Sequence, residues 1–261
     1  MRISEICEAI EKRIPKCWAE EWDNPGLLVG DPAEDTDSVA VALNATPESV
    51  LSAAKAGCKL LVAHHPLIFH PLKSVTVKTL EGYTIITAIR NNVAIYAAHT
   101  NWDFCAEGVN FILASRLGLQ NIEPLIPSTR GAWGLFAVGD LPEPIKFSEI
   151  EPLLRERWNL RDFTLYGDED RIIKRIAVGG GSGGDYWHDA VAAGADCYVT
   201  SDLYYHFREG ALFEGLSIVI TDHWETETVS IPALLDLVAE ETGLPVITAD
   251  EKKVHFIHGK C

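Results

Sequence analysis

Three short apolar runs each end in side chains that bind metals or move protons. LVA precedes His64 and His65; VAIYAA precedes His99, with Asp103 close behind; IVIT precedes Asp222 and His223, with Glu227 four residues further on. Imidazole is the commonest protein metal ligand, and two adjacent histidines followed by Pro66 make poor core residues. Consecutive side chains of an extended chain point opposite ways, so the pair can serve two different atoms rather than chelate one. The four-residue spacing of His223 and Glu227 puts both on one face of a helical turn, where a single ion sees both. Imidazoles and carboxylates without thiolates suit zinc, manganese, iron or nickel. Two such ions per chain would lower the pKa of a water held between them, so that it is hydroxide near neutral pH, and clamp a substrate oxygen.

Each member also has a plainer role open to it. Asp103 can cap the helix that follows, and Asp222 or Glu227 can sit at a solvated helix amino terminus favoured by the macrodipole. His99 can donate a hydrogen bond to a ligand rather than bind metal itself. His70, His188, His255 and His258 lack a strand-end setting and are read as structural.

The elements that must position these groups follow from periodicity and punctuation. Lys59–Ala63 has the length of a buried strand, which places His64 and His65 just past its carboxyl end, where open α/β sheets bind ligands. Val93–Ala98 and Ile218–Thr221 read the same way, and Val39–Leu43 and Cys197–Thr200 add further strands. Helices are expected over Ile3–Ile14, from Thr46 to Gly57, over Thr79–Asn91, Glu107–Leu117 and Ser148–Trp158, and from about Glu227 to Glu241. Val246–Thr248 and Val254–Ile257 close the chain as strands. Strand alternating with helix implies an α/β fold with mainly parallel sheets, and if the three ligand-bearing strands share a sheet their ends lie along one edge. The polar break Pro127-Ser128-Thr129 marks a domain boundary, with a second domain over 128–221.

Gly179, Gly181 and Gly184 satisfy GxGxxG after a strand and before a helix, with Asp202 at a distance suited to a ribose contact. The late position of the run and the lack of a second nucleotide half favour instead a phosphate or backbone-packing role at the helix start. The chain has no Walker lysine and no GxSxG elbow.

At 261 residues and 47% hydrophobic content the chain can bury a full core. Its formal charge of -16 opposes binding to phosphate backbones and anionic membranes, so nucleic acid and membrane are not expected partners. The amino terminus lacks signal-peptide features, and the six cysteines form no CxxC pair, which suits reduced thiols in a cytoplasm.

AHHPLIF (63–69), HTNWD (99–103), GGGSGGD (179–185), ADCYVTSDLYYH (195–206) and DHWETE (222–227) resemble, in order and spacing, the Nif-three-like family of GTP cyclohydrolase 1 type 2 homologues. The resemblance spans nearly the whole chain. It implies two interlinked α/β domains with parallel or mixed sheets, the first (1–127) completed by 222–261, assembled as a toroidal homohexamer. It implies a dinuclear metal centre with His64, His65, Asp103, His223 and Glu227 as ligands, Glu227 or Asp103 bridging, and His99 as a catalytic proton shuttle. Tyr205 and His206 match the family pattern without an assigned role. Glu225 departs from it and would add negative charge near the metals. The function so implied is a cytoplasmic dinuclear-metal hydrolase, in which metal-bound hydroxide attacks a small-molecule substrate, GTP or a phosphoester among the candidates. The alternative is a non-catalytic metal-binding, metal-delivery or regulatory scaffold.

Overall fold

The computed structural model describes residues 1–251. By compactness the chain divides into one unit made of Met1–His99 and the chain from Leu234 onward, and a second made of Thr100–Ala233.

The first unit opens with helix α1 (Ile3–Arg13), whose Ile3, Ile6, Cys7 and Ile10 are buried. Strands β1 (Gly26–Val29) and β2 (Val39–Asn44) follow. Helix α2 (Pro47–Lys55) is capped by the Thr46 side chain and starts on Pro47, whose missing N–H costs nothing at that position. Strand β3 (Leu60–His65) is followed by helix α3 (Leu80–Arg90), capped by Thr79, and strand β4 (Ala94–Ala97). β3 runs longer than the sequence suggests: His64 and His65 are its last two residues rather than the start of a loop. Register explains this, because Asn44 of β2 lies level with His65 and extends the ladder by two residues.

The second unit begins with a single helical turn, α4 (Thr100–Asp103), and helix α5 (Val109–Arg116). Strand β5 (Gln120–Glu123) comes next, and β6 (Ile126–Pro127) pairs with β7 (Gly134–Leu135) in a small ribbon. The polar break at Pro127–Thr129 thus lies within this ribbon, inside the second unit. Strand β8 (Ala137–Lys146) is separated from β7 by Phe136 at a left-handed φ of 56°. Helix α6 (Ile150–Trp158), strands β9 (Phe163–Tyr166) and β10 (Ile172–Gly179), helix α7 (Trp187–Ala192), strand β11 (Cys197–Thr200), helix α8 (Tyr205–Phe213), strand β12 (Ser217–Thr221) and helix α9 (His223–Thr228) complete it. Helix α10 (Ile231–Thr242) carries the division between units, and β13 (Val246–Thr248) returns to the first. The expected strand Val254–Ile257 falls outside the described residues.

The first sheet has the order β1-β4-β3-β2-β13, parallel except for β1. One face carries Ala40, Ala42, Leu61, Ala63 and Ile95 into a buried cluster with Val50 and Ala53 of α2 and Ile85 and Ala88 of α3. Alternation sends Val39, Val41, Leu60, Val62 and Tyr96 to the other face, where they too are fully buried. A sheet covered on both faces explains why its strands read as continuous apolar runs rather than alternating ones. The second sheet, β5-β8-β10-β11-β12-β9, is parallel over β10, β11 and β12 and antiparallel at its edges. The three strands that lead to the candidate ligands therefore do not share a sheet: β3 and β4 are neighbours in the first, and β12 belongs to the second. The five described cysteines are free, and no described helix is long and apolar enough to cross a membrane.

Candidate metal centre

In the first unit the parallel register pairs Ala63 with Ala97, so His65 and His99 leave their strands at the same level. His64, His65 and His99 form a triangle with ring centroids 5.0, 5.3 and 5.8 Å apart, and their candidate ligand nitrogens all lie within 4.8 Å of one another. That spacing suits the coordination sphere of a metal ion.

The hydrogen bonds behind the rings decide which nitrogen faces this cluster. Nδ1 of His64 is 2.8 Å from the Ala98 carbonyl oxygen, Nδ1 of His65 is 2.8 Å from Oδ1 of Asn44, and Nδ1 of His99 is 2.7 Å from Oδ1 of Asp23. Each partner is an acceptor, so each Nδ1 carries the proton and each neutral ring keeps its lone pair on Nε2. This is the arrangement by which outer hydrogen bonds orient ligating histidines. The Asp23 side chain is fully buried and also accepts the backbone N–H of Asn24 at 2.7 Å, so it cannot swing away from His99. Beside the cluster stand Trp22, 57% exposed, and Phe69, 42% exposed, with ring centroids 6.1 and 6.3 Å from His99.

In the second unit Asp222 is the N-cap of α9, its side chain accepting from the Glu225 N–H. One turn of α9 then sets Nε2 of His223 3.1 Å from Oε2 of Glu227, as the four-residue spacing requires. Nδ1 of His223 is 2.6 Å from Oδ2 of Asp202, so this ring too is held from behind by an acceptor. Glu225 turns the other way: its carboxylate accepts the Arg161 N–H, and burial raises its pKa. Its carboxylate is thus engaged with the Arg161 backbone rather than with His223. Asp103 is the half-buried last residue of α4. It does not cap α5, whose N-cap is Gly108. Tyr205 and His206 lie exposed on α8.

The glycine run serves this second set. Gly181, at φ 67°, passes so close that an added Cβ would overlap Oε1 of Glu227 and lie 3.3 Å from Nε2 of His223. Its N–H donates to Thr226 Oγ1 and that of Gly180 to Asn110 Oδ1, both at 2.9 Å, while the Gly183 N–H bonds the Gly181 carbonyl. The amides that would cradle a dinucleotide phosphate are thus committed within the protein, and Asp202 is committed to His223. The run is a backbone support for the helix that carries His223 and Glu227.

Burial opposes charge on His223, but the hydrogen bond and charge of Glu227, aided by Asp202, outweigh it and raise its pKa to about 9. A raised folded pKa stabilises the fold fully below the unfolded value of about 6.5 and ceases to do so as pH rises through about 9. In metal-free protein, the Tm deficit of His223→Gln is therefore expected to be largest below about pH 6.5 and to vanish above about pH 9. Zinc affinity should move the other way, tightening as His223 loses its proton. A pH-independent Tm difference would contradict the pairing.

The model of Duf34/NIF3 (NGG1p interacting factor 3) matches residues 1–254. The chain belongs to the Duf34/NIF3 family. The chain is similar to the GTP cyclohydrolase 1 type 2 homolog of Clostridium perfringens, 33% identical over 98% of this chain and 99% of that one. That of Streptomyces coelicolor is 34% identical over 87% and 81%. A Bacillus cereus protein related to NIF3 has the same fold, with a TM-score of 0.94 at 25% identity over 99% of both chains.

Proposed function

We propose that this NIF3-family protein is a metal-dependent hydrolase of the GTP cyclohydrolase 1 type 2 kind, acting on a nucleotide or phosphoester. Its two divalent ions are held by His64, His65, Asp103, His223 and Glu227. The observation that carries the reading is the common orientation of four imidazoles: His64, His65, His99 and His223 each have Nδ1 against an acceptor, which leaves Nε2 to ligate in His64, His65 and His223 and to move a proton in His99. A donor set of imidazoles and carboxylates fits zinc, manganese, iron or nickel. When bound, such ions supply Lewis acidity toward a water and toward a substrate oxygen.

The chain's own groups do the rest. Asp23 holds the Nδ1 proton of His99, so Nε2 of that ring is the atom that takes a proton from the attacking water and returns it to the leaving group. Trp22 and Phe69 offer exposed aromatic surface beside His99, on which a planar base stacks.

Two variants test this division of labour. His99→Ala is expected to retain its metal and lose about 100-fold in kcat, the ordinary scale of a lost general base; loss of metal instead would make His99 a ligand. Trp22→Ala is expected to raise KM for GTP about 10-fold through lost stacking, with kcat and metal content unchanged. An unchanged KM would remove the aromatic surface from the substrate site. A chain that binds its ions and turns over nothing would return the function to metal delivery or a scaffold. The toroidal homohexamer implied by the resemblance is tested by sizing in solution.

A further inference from the structure

His65 is tied to the far end of the chain by a line of hydrogen bonds with a single consistent arrangement of protons. Glu251, just beyond β13, accepts the Leu43 N–H at 2.5 Å and the Asn44 N–H at 3.2 Å on Oε1. Its Oε2 accepts from Nδ2 of Asn44 at 3.0 Å, and Oδ1 of Asn44 is 2.8 Å from Nδ1 of His65. The segment that carries Glu251 is anchored to both β2 and α2: Ala249 N–H donates to the Val41 carbonyl at 2.8 Å, and Asp250 N–H to Ser52 Oγ at 2.9 Å.

We propose that Glu251 is a positioning residue that sets, through Asn44, the tautomer in which His65 binds metal. A carboxylate only accepts, so Asn44 must turn its NH2 toward Glu251 and its carbonyl oxygen toward His65. That oxygen also only accepts, so His65 must carry its proton on Nδ1 and keep the Nε2 lone pair for the ion. Without the carboxylate, Asn44 is free to turn over at little steric cost and offer an N–H to Nδ1. The proton then moves to Nε2 and blocks the ligand. Among the ligating histidines this is a particular vulnerability: His64 leans on a backbone carbonyl, which cannot turn over, whereas His65 leans on an amide that can.

The proposal rests on the metal-binding reading, and its test separates the two. In Glu251→Gln the new amide would keep its oxygen on the two backbone N–H groups and present NH2 to Asn44, which then turns its own NH2 toward His65. In metal-free protein, 15N shifts of the His65 ring are expected to report Nδ1–H for wild type and Nε2–H for Glu251→Gln. Zinc affinity, measured by competition with a chromophoric chelator, is expected to fall 10- to 100-fold, the usual cost of losing an outer-shell partner. Adding Asn44→Asp to Glu251→Gln restores an acceptor for both neighbours and should return both the ring shifts and the zinc affinity toward wild type. A Glu251→Gln protein with Nδ1–H and wild-type zinc affinity would overturn the proposal. So would a double variant no better than the single one, which would make the loss merely structural. Wild-type protein that binds no zinc would sink the metal reading, while the ring shifts would still decide the relay.

Discussion

The His65→Ala protein is expected to lose metal and turnover together. His65 stands at the end of β3, within the first unit's cluster of three imidazoles, its ring held by Asn44. No neighbouring side chain can replace its nitrogen, because His64 is fully buried and fixed on the Ala98 carbonyl and His99 is fixed on Asp23. Removing the ring also leaves Oδ1 of Asn44 without its donor, which costs about 1–3 kcal/mol in a partly buried site. That is a fraction of the stability of a domain this size, so the protein should fold and melt cooperatively. Turnover is expected to drop at least about 1000-fold, since the loss of a ligand removes the Lewis acid and not merely a contact. Elemental analysis and a thermal melt on the same sample check both halves. A metal-depleted His65→Ala protein that retained activity would contradict the hydrolase reading.

The second large effect is expected at a residue that binds nothing. Gly181→Ala places a methyl group where Oε1 of Glu227 now lies. The obstacle is the far end of a side chain and not backbone, so the carboxylate can move and the fold survives. The left-handed φ of 67° adds about 1–2 kcal/mol of backbone strain for any residue with a Cβ. What does not survive is the position of the carboxylate beside His223. A misplacement of about 1 Å commonly costs on the order of 100-fold in rate, and that loss is expected here with only a few degrees' fall in Tm. The control is Gly194→Ala, also at positive φ but with nothing within 4 Å of an added Cβ, which should lower Tm by a similar amount and leave turnover alone. Equal activity in the two variants would remove Gly181 from any role in holding Glu227.

The elements that carry the candidate ligands were legible because their signals are local. Apolar runs of strand length stop at histidines, Thr46-Pro47 caps a helix, and the spacing from His223 to Glu227 is a helical turn wherever it occurs. Where the reading failed, tertiary pairing or a side-chain cap decided. β3 was extended through His65 by its neighbour β2. The expected helix from Glu227 to Glu241 is two helices, because Ser230 Oγ donates to the Glu227 carbonyl and Pro232, which has no N–H, belongs to the first turn of α10. The residues behind the histidines could not be found at all: Asp23, Asn44 and Glu251 reach their partners across 76, 21 and 207 positions of chain. The one trace of them is that VALN, like LVAHH, is an apolar strand that ends in a polar side chain. The glycine run gave a true local signal with two meanings, and the direction of its hydrogen bonds chose between them.

The central claim is that the imidazoles and carboxylates hold catalytic metal. Its most direct test is the metal content of the protein as isolated, with turnover of GTP and a small panel of phosphoesters measured before metal removal, after it and after restoration. The account predicts two divalent ions per chain, activity toward at least one of these substrates, loss of that activity on chelation and its return with added metal. Protein that binds no divalent ion, or whose turnover is indifferent to its removal, would contradict it.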